Sequence, residues 1–366
     1  MVLTIDCFKL VRGVGKSIGI YNVAVSVVNG LAKYIIDNNT GDVIKVIGNS
    51  YNRGDFDIEG VVFYEITKLN PLKKIDFVLW ELLFVNKTLR ELGTDVVLFP
   101  RGFAPLKCSV KDVILIHDMI PFYYDEEFPG FFNRVENFYI KMRLKASAKE
   151  ADRIVTISEA SKSDIIKYTS VNEDKIHLIY NSCDFGSNTE KMNEEPYICA
   201  ITSSLPHKNA KGIIQAYSRY CEISNKPIKL KIIGISDCEK YGADKKLSDR
   251  IECFNYIADK KEMIDMLSNA SVFLFLSLKE GFGLPPLEAM SVGTPVVCSN
   301  LSSMPEIVAD AGVLVSPTDY DSIAKALERV INDDVTREQL IINGYENCRR
   351  FDHDSASEKY YEVMVY

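Results

Sequence analysis

Strand-length apolar runs alternate with amphipathic helical stretches from one end of the chain to the other, and this alternation confines the chain to a parallel α/β fold. In the first half, Leu3–Asp6, Val43–Ile47, Val96–Phe99, Val113–Ile116, Arg153–Ile157 and Ile176–Ile179 predict strands. Helical periodicity fills Tyr21–Asn38, Asp76–Glu91, Arg134–Ala151 and Ser161–Tyr168. A polar segment, Asp184–Glu195, holds few core-forming residues and predicts an interdomain linker. The rhythm then restarts. Strands are expected at Tyr197–Thr202, Lys229–Gly234, Ile251–Phe254, Val272–Leu276, Pro295–Ser299 and Gly312–Val315, and helices at Lys211–Cys221, Lys260–Ser268 and Tyr320–Ile331. The pattern implies two doubly wound sheets, residues 1–185 and 196–350, facing each other across a cleft at the carboxyl ends of their strands, where such sheets bind ligands.

Bulk numbers exclude several classes. The 366 residues are 47% apolar and 26% charged, ordinary for a globular chain of two domains. With 43 basic and 51 acidic residues the net charge is −8, so a broad nucleic-acid surface is not expected and an anionic substrate needs local cations. Nine cysteines without CxxC spacing and only four histidines speak against a zinc site and for a reducing cytoplasm. The N-terminus lacks the basic start and apolar core of a signal peptide, and no run approaches bilayer length. The stretch Phe77–Val85, interrupted by Glu81, reads as a buried helix. Peripheral contact with the inner membrane face, through exposed lysines and aromatics, stays open.

The most informative motif is Glu280-Gly-Phe-Gly-Leu-Pro-Pro-Leu-Glu288, between the apolar run Val272–Leu276 and the stretch Glu288–Gly293, which reads as a short helix. A strand that empties through a glycine turn into a helix delivers backbone N–H groups to the sheet edge, where anions bind. Pro285 and Pro286 suit a first helical turn, where a missing N–H costs nothing. Carboxylates would repel a phosphate, so the two glutamates suit sugar hydroxyls. The combination fits a sugar joined to a phosphate.

This string resembles the signature of retaining GT-B glycosyltransferases of family four, glycosyl transferases group 1. The resemblance implies the GT-B fold, two facing Rossmann-like domains, with a last helix, about 352–366, returning to the first domain. It places Glu280 and the backbone of Gly281, Phe282, Gly283 and Leu284 against the donor sugar and its phosphates, and Glu288 on the nucleotide ribose. Lys208, in Pro206-His-Lys-Asn209, matches a lysine that grips the donor diphosphate, although an arginine common five residues earlier is here Ser203. His117, ending a predicted strand, matches a histidine lining the acceptor and donor-sugar side. Tyr256 and Ile257 fall where the base packs.

Near the start, Arg12-Gly-Val-Gly-Lys-Ser-Ile-Gly19 could bring backbone close to a diphosphate through Gly15 and Gly19. It is not a nucleoside-triphosphate loop, since Leu10 stands where that motif needs glycine. Asp55-Phe-Asp57 imitates a metal-binding pair but lies in a polar loop; no metal and no cofactor beyond the donor substrate is expected. Ser158 suits a helix N-cap. The expected activity is metal-independent transfer of a sugar, mannosyl or rhamnosyl favoured, from a nucleotide-diphosphate donor to a saccharide or lipid-linked acceptor in polysaccharide biosynthesis. Two alternatives remain: another GT-B reaction (a sugar-nucleotide epimerase or a phosphorylase), or a non-catalytic partner subunit.

Overall fold

The computed structural model describes residues 1–13, 18–183 and 195–365. The chain forms two compact units, Met1–Ser182 with His353–Tyr366, and Cys183–Asp352. The segment expected to link them, Asp184–Glu195, lies, but for Glu195, outside the described residues.

The first unit is built on seven strands: β1 (Val2–Asp6), β2 (Val43–Gly48), β3 (Val61–Glu65), β4 (Val96–Phe99), β5 (Lys111–Ile116), β6 (Arg153–Thr156) and β7 (Ile176–Leu178). Their order is β3-β2-β1-β4-β5-β6-β7, and every pairing is parallel, with Val2 opposite Val43 and Leu3 opposite Val96. The second has six: β8 (Tyr197–Ile201), β9 (Lys229–Ile233), β10 (Ile251–Phe254), β11 (Val272–Phe275), β12 (Val296–Ser299) and β13 (Gly312–Val315), in the parallel order β10-β9-β8-β11-β12-β13. Helices cover the strands, so both faces are dry and central strands such as β4 and β11 are buried at every position. Each unit owns a core: one around Val97, Ile114 and Ile154, the other around Ile198, Leu230 and Leu274.

The returning helix His353–Val365 packs on helix Ile18–Asp37, where Lys33 pairs with Asp354 at 2.7 Å and Tyr361 donates to Asp42. Gly30 permits this approach, since a Cβ there would collide with Ser357.

Two expectations need correction. Helix Ile18–Asp37 is in fact long and apolar enough, by length and composition, to cross a bilayer. Half of its apolar window is buried against the first unit, which is what a core helix on a dry sheet face requires. Phe77–Val85 is not a simple buried helix. It straddles an α-helix, Lys74–Leu79, and a π-helical turn, Trp80–Phe84, which inverts the burial: Trp80 and Glu81 go inside while Leu82, Leu83 and Phe84 stay in solvent.

Candidate active site

In each sheet, strand order reverses direction between two central strands, and that switch point opens a crevice at their carboxyl ends. In the second unit these strands are β8 and β11. β8 leads to the short 3-10 turn Pro206–Lys208, and β11 leads through Glu280 into helix Leu284–Ser291.

The structure brings Lys208 and Glu280 together. Lys208 Nζ donates to both carboxylate oxygens of Glu280, at 2.6 and 2.9 Å, and lies 5.9 Å from the centre of the Phe275 ring. Both loops are tied down. Thr202 Oγ1 donates to the Lys208 carbonyl at 2.8 Å. Asn209 caps the following helix by accepting from Gly212 N, and its Nδ2 donates to the carbonyls of Leu276 and Pro317. Opposite them, Ser302 Oγ donates to the Glu280 carbonyl at 2.8 Å and Ser303 Oγ to the Phe282 carbonyl at 2.6 Å. Gly283 carries φ +107°, and a Cβ there would run into the methyl of Met304.

The Phe282 side chain is buried, edge-on against Phe351 at 5.6 Å, which leaves its backbone as the part of this residue open to a ligand. Pro285 and Pro286 fill the first helical turn and carry no N–H, which limits donors there to Leu284 and the residues before it. Glu288 projects from the same helix, and burial pushes its carboxyl up to about 7, against the pull of Lys260. Beyond β10, Tyr256 is 62% exposed and available to stack on a ligand, whereas Ile257 is packed inside. Lys211 is exposed on its helix and His207 is buried.

In the first unit, His117 follows β5 and is buried. Its Nε2 lies 2.8 Å from the Pro100 carbonyl, which can only accept, so the proton sits on Nε2 and Nδ1 keeps its lone pair. Burial pulls the imidazole down to about 4, with Arg101 adding to the effect, so the ring is neutral. The adjacent Asp118 accepts from Ile120 N and fixes the turn. Gly15 lies outside the described residues. Gly19 sits in the first turn of its helix with open space where a Cβ would go, so nothing in its surroundings demands glycine. Asp55 accepts hydrogen bonds from Tyr21 and Arg12, and among the described residues no group of His, Cys, Asp and Glu could hold a metal ion. Ser158 caps its helix by accepting from Ser161 N at 3.0 Å.

A second polar crevice, missed in the sequence, lies between β1 and β4, the switch-point strands of the first unit. Asp6, at the end of β1, accepts from Trp80 Nε1 at 2.9 Å, and burial raises its carboxyl to about 6. Glu81 is raised to about 7 by burial although Arg143 Nη2 stands 3.4 Å away, and its Oε1 has no partner. Lys9 and Arg101 both lie over the Phe77 ring and line the same cavity. The available signal was position: Asp6 ends one apolar run and Arg101 follows another.

Comparison with known proteins bears on both units. A model of glycosyl transferases group 1 matches residues 186–347, and one of glycosyltransferase family 4 matches 24–186. The O-antigen chain mannosyltransferase RfbU of Salmonella typhimurium is 29% identical over 254 residues, 68% of this chain and 67% of that one. O-antigen chain mannosyltransferase B of Escherichia coli is 30% identical over 287 residues, 74% of each chain. The solved structure of WaaG, a glycosyltransferase involved in lipopolysaccharide biosynthesis, aligns over 100% of both chains with a TM-score of 0.72; at 14% identity it speaks to the fold alone.

Proposed function

The chain belongs to the glycosyl transferases group 1, as a hexosyl-transferring enzyme of the GT-B fold, and on that premise we propose that it moves a mannosyl residue from a nucleotide-diphosphate donor to a saccharide or lipid-linked saccharide in surface polysaccharide assembly, with retention of anomeric configuration. The observation that carries the donor assignment is the Lys208–Glu280 pair at the β8/β11 switch point. An ammonium and a carboxylate held in register there suit a ligand with phosphate at one end and hydroxyls at the other. Mannose is favoured because both related enzymes named above are mannosyltransferases.

In this reading the donor diphosphate takes Lys208 from Glu280, and the freed carboxylate accepts from sugar hydroxyls. Backbone amides of Gly281 to Leu284 add donors to the phosphates, and Glu288 takes the ribose hydroxyls. Tyr256 stacks on the base while Ile257 packs beneath it. Lys208 and the amides counter the charge that grows on the diphosphate as the bond to the anomeric carbon breaks, so no metal is needed. The acceptor oxygen attacks from the face the diphosphate leaves, and its proton passes to the departing phosphate oxygen. His117 contributes a neutral acceptor, Nδ1, rather than an acid. The crevice lined by Asp6, Lys9, Glu81 and Arg101 serves acceptor hydroxyls, with the exposed Gly19 helix start supplying backbone on the same unit.

A thermal-shift screen against guanosine, uridine and thymidine diphosphate sugars identifies the donor, and release of nucleoside diphosphate with and without acceptor tests transfer. GDP-mannose is expected to stabilise the protein most, with diphosphate release dependent on acceptor and an α-linked product by proton NMR. Interconversion of the donor sugar without any acceptor would instead make the chain an epimerase.

A further inference from the structure

At its first residue the second unit meets its own end. Cys183 N donates to the Phe351 carbonyl at 3.0 Å, and Cys348 stands one turn before Phe351, where helix Asp334–Cys348 finishes. Residues three apart in such a turn share a face, so the two cysteines come side by side. Their thiols lie within hydrogen-bond reach of each other, and both residues are half-buried rather than sealed in the core.

The pair lies against helix Leu284–Ser291 and the turn that leads into it. Cys348 Sγ donates to the Leu287 carbonyl at 3.5 Å. The Cys183 thiol bonds the Ser291 side chain, whose Oγ donates to the Glu288 carbonyl at 2.8 Å. Phe351 adds its edge-on contact with Phe282. Other cysteines are placed differently. Burial pushes up the thiols of Cys7, Cys199 and Cys298, which keeps them protonated in the core. Burial also raises Cys253, beside Cys238, to about 12. Cys348 is instead held below the ordinary thiol value by the hydrogen bond from Cys183, which keeps its own proton. The thiolate is the form that reacts, so one partner is poised to attack and the other to resolve.

We propose that Cys183 and Cys348 form a reversible disulfide, made by a peroxide and undone by a dithiol, that weakens donor binding through helix Leu284–Ser291. The bridge stands apart from the donor assignment, while its effect rests on that reading. The Cys348 thiolate attacks one oxygen of hydrogen peroxide and the O–O bond breaks. The other oxygen leaves as hydroxide and takes up the proton the thiol had lost, giving water and a sulfenic acid. The Cys183 sulfur then displaces the sulfenic oxygen, which departs as a second water with the Cys183 proton. Two thiols have lost two electrons and two protons, and the peroxide has become two waters. An S–S bond of about 2 Å is shorter than a thiol–thiol contact by more than about 1 Å. Closing it draws Cys348 from Leu287 and deprives that carbonyl of its donor, next to Glu288.

The test treats the reduced full-length protein with hydrogen peroxide, blocks the remaining thiols and maps peptides by mass spectrometry. A linked Cys183–Cys348 peptide is expected, with a fall of at least about tenfold in affinity for GDP-mannose that dithiothreitol reverses. Because the bridge encloses nearly all of the second unit, calorimetry should show that unit's transition rising on oxidation and the first unit's unchanged. Cys183→Ser is expected to bind GDP-mannose as the reduced parent does, and to lose both the linked peptide and the reversible inhibition. Cys348→Ser repeats the test should the first variant misfold. No linked peptide, a Cys238–Cys253 link in its place, inhibition that persists in both variants, or a complete bridge with unchanged affinity would overturn the proposal. A reduced protein that does not bind GDP-mannose, yet forms the bridge and shows the raised transition, would remove the donor assignment and leave the disulfide standing.

Discussion

Lys208 and Glu280 are half-buried partners, so each substitution has two consequences that can be separated. Lys208→Ala removes the cation assigned to the diphosphate and is expected to lower kcat/KM by about 10²–10³-fold, the usual cost of one charge-stabilising donor. It also leaves Glu280 without its ammonium, which should cost stability by roughly 1–3 kcal/mol. Adding Glu280→Gln should return part of that stability and none of the activity. Thermal unfolding and steady-state turnover of the two single variants and the double variant check this; a Lys208→Ala protein with full turnover would remove the residue from the site. Both residues were legible in the sequence because each sits in a loop just after a strand, where the fold class alone predicts a ligand. Asn209, Ser302 and Ser303 were not, because their work consists of bonds made across the turn. Ser302 acts on a carbonyl 22 positions away, and only Asn209 had a local signal, its place at the start of a helix. The Asp6, Glu81 and Arg101 cluster escaped for the same reason: burial, which turns ordinary surface residues into a polar pocket, is a property of the assembled sheet.

The strand-turn-helix from β11 through Leu284–Ser291 depends on a backbone conformation that one residue supplies. Gly283 adopts φ +107°, and a Cβ would meet the Met304 methyl, which packs under the turn. Gly283→Ala is therefore expected to cost roughly 1–3 kcal/mol and to shift the Leu284 amide, so that turnover falls further than stability alone explains. Calorimetry with a donor-binding titration measures both; an alanine variant with unchanged melting and donor affinity would mean that the turn relaxes freely. Elements of this kind were readable where burial is uniform. The apolar runs of β4, β8 and β11 named themselves, and all six strands of the second unit were expected. β3 was not, because it alternates between half-buried and exposed positions at the sheet edge and holds no continuous apolar run. Helix Asp334–Cys348 was also missed: only Leu340, Gly344 and Asn347 are buried on it, too few to set a period. The π-helical turn has no pattern in sequence, since one extra residue per turn emerges only once Trp80 and Glu81 compete for the interior.

Over the whole molecule, burial has placed several acids where they hold protons unusually well. Asp6, Glu81 and Asp112 in the first unit and Glu288 in the second are raised by burial to between about 6 and about 7. The folded chain therefore binds more protons than the unfolded chain between the ordinary carboxyl range and pH 7, and across that window stability falls as pH rises. His117, lowered to about 4, and His177, also lowered by burial, act in the opposite sense: they resist protonation in the fold, so their contribution is lost as pH falls below about 6.5. Three raised carboxyls against two histidines leave the first unit with a net loss on going from about pH 5 to about pH 8. Asp319, exposed, and Asp333, half-buried, are held below the usual range by their helix-capping bonds and lose their contribution only on further acidification. A melting temperature that declines from pH 5 to pH 8 is the expected outcome, unlike that of a protein whose carboxylates are mostly salt-bridged. Because each unit owns its core, the responsible groups can be told apart. Glu81→Gln should flatten the decline of the first unit's transition and leave the second unchanged, while Glu288→Gln should do the reverse. Differential scanning calorimetry across this range decides it, and melting temperatures that climb steadily to pH 8 in the unmodified protein would show that these carboxyls are ionised in the fold.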